Sequence, residues 1–169
     1  MSIDKKKFIE ISQAHFQRLT PQLDAELAEL SSRSWPEATR FLLIEYDSAR
    51  FSSDFSVSLW AMDENGSPVD RSMYEFLAGT VVPVPREIYD YENYADDDEW
   101  DEVEPSVTAS ELLKQWFSER WRAHVSMMLP AYIGHHDSFF KTDLSTNSRT
   151  DWDAIVKHAK TDGSKRCKN

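Results

Sequence analysis

Cysteine is nearly absent. Cys167 is the only one in 169 residues. A lone thiol closes no internal disulfide and builds no Cys-rich zinc site, so the fold rests on its core, and a reducing compartment fits. Glycine is scarce too, at four. The chain has no Gly-rich phosphate loop, no nucleophile elbow and no HExxH helix, which removes the sequence signatures of the enzymes built on them. No window approaches the roughly 18 apolar residues of a membrane span. The opening MSIDKKKFIEIS has lysines but lacks the apolar run of a signal peptide. These absences lead us to expect a cytoplasmic protein with no cofactor, no catalytic residue, no metal ligand and no membrane partner.

What the chain has in excess is local negative charge. The net charge is −11, and residues 89–105, YDYENYADDDEWDEVEP, hold nine of the 30 acidic residues without one Lys or Arg. The rest of the chain is almost balanced, with 21 acidic against 19 basic groups. Such a segment repels phosphates, which disfavours direct nucleic-acid binding there, and attracts a basic partner. It also carries Tyr89, Tyr91, Tyr94 and Trp100.

The length suits one domain able to bury a core without staples. Phe16, Leu19, Leu23, Leu27 and Leu30 recur at helical spacing. Thr20-Pro21 falls inside that run and predicts a kink or two shorter helices. RFLLIEYD, residues 40–47, has strand composition. DFSVSLWAMD alternates, with Phe55, Val57, Leu59 and Ala61 on one face, and the Asn65-Gly66 turn follows. YEFLAGTVV, residues 74–82, reads as a third strand ended by Pro83 and Pro85. In VTASELLKQWFSERWRAHVSMM, Thr108 and Glu111 make a capping-box pattern and Val107 with Leu112 a staple. A short strand near residues 138–142 and a helix from about Thr150 complete the chain. The resulting expectation is α+β: one domain over residues 1–161, a small antiparallel sheet of three to four strands, and helices packed on one face. Residues 89–105 would be an acidic-aromatic insertion and 162–169 a flexible basic tail.

The bland reading of residues 89–105 is a solvated loop, since charge runs of this kind repel themselves. A calcium loop would need oxygen ligands at set spacings and a turn glycine, which ADDDEWDEVEP lacks. Mimicry of a nucleic-acid backbone, or more broadly an inhibitor's docking surface, explains the rings as well as the charge. Aromatic side chains anchor interfaces, and clustered charge speeds association. The expected partner-binding residues are Tyr91, Tyr94, Asp96, Asp97, Asp98, Trp100, Asp101 and Glu102, with Trp100 the ring best suited to tack the segment to the body.

A second cluster, His135-His136-Asp137 in GHHDS, is the alternative site, for an enzyme or a metal-binding protein. Adjacent histidines on a strand face opposite ways and form no metal pair unless a turn converges them. The remaining alternative is a regulatory adaptor with a disordered acidic loop.

The layout resembles that of small bacterial immunity proteins from polymorphic-toxin systems. The parts that carry the likeness are the N-terminal helical run, RFLLIEYD with FSVSLWAMDENGSPV, the Trp-rich ELLKQWFSERWRAH, and FFKTDL with the last helix. The resemblance implies a compact cytoplasmic α+β protein that binds and blocks a toxin, and it assigns no residue a role. Combined with the charge pattern, the expected function is occlusion of a basic partner protein, with a nuclease toxin as the fitting class.

Overall fold

The computed structural model describes residues 3–47, 56–70, 74–78 and 84–166, with only the backbone given for Asp97, Glu99 and residues 162–166. Phe55, residues 79–82 of the expected third strand and Cys167 lie outside the described residues.

The first helix, α1 (Lys5–Ser31), begins where Asp4 caps it, accepting the Lys7 amide at 2.7 Å. Phe8, Phe16, Leu19, Leu23, Leu27 and Leu30 form its buried stripe. Pro21 sits inside this helix without dividing it, so of the two expected outcomes the pair of shorter helices is overturned. Packing overrides the lost hydrogen bond: Leu19 and Leu23, on either side of the proline, are both fully buried. Thr20 donates its hydroxyl to the Phe16 carbonyl (2.8 Å) and accepts the Trp116 indole N–H (2.9 Å).

Strands β1 (Phe41–Tyr46), β2 (Val57–Met62) and β3 (Tyr74–Phe76) form the expected antiparallel meander. Gly66, at φ +75°, closes the turn after β2, and a Cβ there would stand 2.8 Å from the Trp152 ring. Glycine is thus required for its backbone and for the close approach of the last helix. Helices α2 (Arg86–Tyr94), α3 (Asp97–Val103) and α4 (Pro105–His124) follow. They lead to β4 (Ala131–His135), β5 (Phe140–Asp143), β6 (Arg149–Asp151) and α5 (Trp152–Arg166).

The class is α+β, but three expectations about its layout need correction. The sheet has six strands among the described residues, ordered β3-β2-β1-β4-β5-β6, where three to four were expected. It is mixed rather than antiparallel: β4 lies parallel to β1, pairing Leu42 with Ala131 and Tyr46 with His135. Helices cover both faces, not one. Leu42, Ile44, Leu59 and Ile133 meet α1 and α4, while Phe41, Leu43, Met62 and Tyr132 meet Ile155 and Ala159 of α5. The physical reason lies in β1, where Phe41, Leu42, Leu43 and Ile44 are all buried; a strand apolar in both phases needs cover on both sides. α5 continues through Arg166, past residue 161, where the domain was expected to end.

Helix α4 starts one turn before the expected capping box. Pro105 takes the first turn, which its fixed φ suits, after Glu104 in the left-handed region (φ 49°). Thr108 is buried and donates to the Val103 carbonyl at 2.8 Å. Val107, expected to staple the helix, is exposed. Asp24 joins α1 to α4 through a two-pronged pair with Arg120 (2.6 and 2.7 Å). Glu26, buried on α1, accepts the Leu77 and Ala78 amides at 2.7 and 3.0 Å and so holds the end of β3.

Candidate functional site

The acidic-aromatic segment is folded. α2 and α3 pack against the start of α1, and the packing divides the rings. Tyr91 is 4% exposed and belongs to the core, tilted on Phe8 at 5.8 Å. Trp100 lies parallel to Tyr91 at 6.5 Å and ties α3 down, the tacking role expected of it. Ile88 and Val103 are fully buried beside them. Tyr91 is therefore corrected from docking anchor to core residue: helical periodicity turns residues 88 and 91 inward together. Tyr94, at 75% exposed, and Tyr89, at 45%, face out. Tyr89 was not among the residues singled out for docking.

The charges divide in the same way. Glu92 is buried, Asp90 pairs with Arg86 at 3.2 Å, and Glu104 pairs with Lys5 at 3.1 Å. Asp96, Asp98, Asp101 and Glu102 are exposed. Asp97 lies on α3, at the helix start. Asp98, Asp101 and Glu102 stand three and four positions apart, on one side of α3, while Trp100 and Val103 take the other. These three form no ion pair with another described residue. Like charges at that spacing cost a helix a few tenths of a kcal/mol per pair, roughly 0.2–0.5.

A cleft of about 700 Å³ opens between α4 and the β4–β6 half of the sheet, with Ser110, Lys114, His135, Lys141 and Arg149 in its lining. The Lys141 side chain crosses β4 where Gly134 leaves room; a Cβ at 134 would stand 2.7 Å from Lys141 Cδ. Its ammonium donates to the His135 carbonyl (2.7 Å) and reaches Glu45 on β1 (3.4 Å). Tyr46 is hydrogen-bonded to Ser110 across the cleft floor, and Lys114 pairs with Glu111.

At the edge of this cleft lies the His135-His136-Asp137 turn. Here a turn brings the two histidines together, the condition under which the sequence allows them to pair. β4 ends at His135, so His136 escapes the strand's alternation, and the rings lie 4.6 Å apart at 37°. The ligand atoms of all three residues fall within 4.8 Å of one another.

Three ionisable groups with displaced pKa values occupy packing positions. Burial, followed by the neighbouring Arg18, lowers His15 to about 4. Burial and then Glu26 raise Tyr74 to about 12. Burial and then Asp143 raise Tyr132.

No family model matches the chain, and no curated protein or solved structure matches it either. No helix among the described residues is long and apolar enough to cross a membrane.

Proposed function

We propose that the protein is an inhibitor of the immunity type, which binds a basic partner protein through the outer side of α2 and α3 and occludes that partner's substrate site. The observation that carries this reading is the division within one short segment. Its inner rings and apolar side chains make a rigid platform, while Tyr94 and the Asp98, Asp101 and Glu102 carboxylates stay outside. A helix that keeps three like charges on one side gives up stability, and a cationic partner is the occupant that recovers it. Of the rings expected to anchor a partner, Tyr91, Tyr94 and Trp100, only Tyr94 faces outward, and Tyr89 joins it in supplying aromatic contact area. A toxin acting on nucleic acid has a basic substrate site and is the partner class that fits best. The helical packing of residues 86–103 also weighs against an adaptor with a disordered acidic loop.

The test begins with affinity capture from the native cell at low and high ionic strength, followed by rapid-mixing kinetics with the basic protein retained at low salt. The triple reversal Asp98→Lys, Asp101→Lys, Glu102→Lys should slow association by about tenfold or more and flatten its salt dependence. An unchanged association rate would place the docking surface elsewhere.

A further inference from the structure

The turn after β4 has features that the inhibitor reading does not use. The two imidazoles of His135 and His136 are each backed by the same residue, Asp47, at the end of β1. His135 Nε2 donates to the Asp47 carbonyl oxygen at 2.9 Å, which fixes the tautomer and leaves a lone pair on Nδ1. His136 Nδ1 faces the Asp47 carboxylate at 3.5 Å, which turns Nε2 the other way, to 3.1 Å from Asp137 Oδ1. His135 Nδ1 points to the same residue and receives the Asp137 amide over a long 3.3 Å. The far nitrogen of each ring is thus engaged by Asp47, and the near nitrogens converge on Asp137.

The main chain of this turn is held firmly. Lys141 donates to the His135 carbonyl, the Ser138 amide donates to the same oxygen at 3.0 Å, and the His136 amide donates to Tyr46 O at 3.3 Å. Asp47 is itself fastened by Ser56, whose hydroxyl donates to Oδ2 at 2.8 Å. The strands therefore fix where the two rings stand, while His136 and Asp137 remain exposed to solvent.

We propose that this turn binds a divalent transition-metal ion of the zinc type through His135 Nδ1, His136 Nε2 and the Asp137 carboxylate, with Asp47 orienting both imidazoles from behind. The chemistry of the donors selects the ion. Two imidazole nitrogens and one carboxylate suit zinc and its neighbours, whereas calcium and magnesium call for oxygen donors throughout. A histidine that ligates a metal characteristically donates its other ring N–H to a carbonyl or carboxylate, and both histidines meet such a group here. Zinc–nitrogen bonds of about 2.0–2.1 Å place tetrahedral donors about 3.4 Å apart. With the three donors already within 4.8 Å, exposed side-chain shifts of about 1 Å close the site. Binding gives up the long Asp137 amide contact on Nδ1. Three protein donors leave the ion a position open to solvent at the rim of the α4–sheet cleft, which His135 and Ser138 also line.

The test uses the full-length chain carrying Cys167→Ser, so that its thiol contributes no ligand. The protein is stripped with a chelator and titrated with zinc chloride in a calorimeter. Cobalt chloride, added in parallel, serves as an absorption probe of coordination. One zinc per chain is expected. His136→Ala should abolish that binding, Asp47→Asn should weaken it about tenfold or more, and His158→Ala, on α5, should leave it unchanged. Thermal melts in the absence of metal check that each variant is folded, which the exposure of His136 favours. Failure of the parent to bind zinc stoichiometrically, or equal binding by His136→Ala, overturns the site. Binding lost in His136→Ala but intact in Asp47→Asn overturns the backing role of the Asp47 carboxylate behind His136; the Asp47 carbonyl behind His135 is main chain and is kept in both variants.

Discussion

The two faces of the sheet are built on different scales. Among the described residues, a core of 25 buried residues running from Ile3 to Leu144 lies beneath α1–α4, and a patch of six lies beneath α5. The large face has several helices packed on one another as well as on the strands, with Phe16 stacked on Trp116 at 4.6 Å and Phe76 edge-on to Phe117 at 5.1 Å. The small face has one helix laid across four strand residues, closed at one end by Trp152 against Phe41. The difference teaches that stability and display are divided within this fold. A thick core on one side supports α2 and α3, whose outer surface is then free to be unfavourable for folding, whereas α5 mainly covers the apolar phase of β1.

The largest expected effect tests that division directly. Leu23→Ala, at the centre of the large face, should cost about 3–5 kcal/mol by urea denaturation, because a core closed between the sheet and several helices collapses little around a cavity. Ile155→Ala on the small face should cost less, about 2–3 kcal/mol, because a single helix can settle onto the gap. Equal losses would mean that the two faces are one mechanical unit.

Next in size is a pH effect confined to the large face. His15, buried on α1, is held neutral by its surroundings and then by Arg18, whose guanidinium donates to Nδ1 at 3.3 Å. Its folded pKa, near 4, lies below the ordinary 6.5. Between those values the unfolded chain binds the proton and the folded chain does not, so stability falls as pH drops from 6.5 toward 4. The loss should reach roughly 2 kcal/mol by about pH 5. His15→Leu should remove that part of the slope in denaturation curves taken at several pH values, and an unchanged slope would assign it to the carboxylates.

The smallest effect has the opposite sign. Asp101→Asn should raise stability by a few tenths of a kcal/mol, roughly 0.2–0.5 per relieved pair, because it relaxes repulsion along the outside of α3. A loss of stability instead would show that Asp101 serves the fold rather than a partner.

How far the sequence foretold this can be followed residue by residue. The leucine stripe of α1 and the alternation of β2 were legible because each periodicity is local and each buries one side. The Asn65-Gly66 turn was legible because a left-handed backbone position demands glycine. β4 was not legible: AYIGH is short, contains Gly134, and owes its place to parallel pairing with a strand far back in the chain. The helices of the acidic segment were also hidden. Their charge run argues against helix, and the opposing force comes from Phe8 of α1 meeting Tyr91, on which Trp100 stacks. The convergence of His135 and His136 depended on the strand stopping between them, which local spacing does not state.

Composition and order by themselves determined that the chain would fold as one α+β unit around a leucine- and aromatic-rich core, with its excess negative charge in a single segment. Those properties follow from short-range periodicity and from counting charges. Tertiary structure alone decided which rings of that segment face water, that α5 covers the second face of the sheet, and that Asp47 stands behind both histidines. Each of these depends on pairing between residues distant in the chain, whose free energy appears only once the whole sheet has closed.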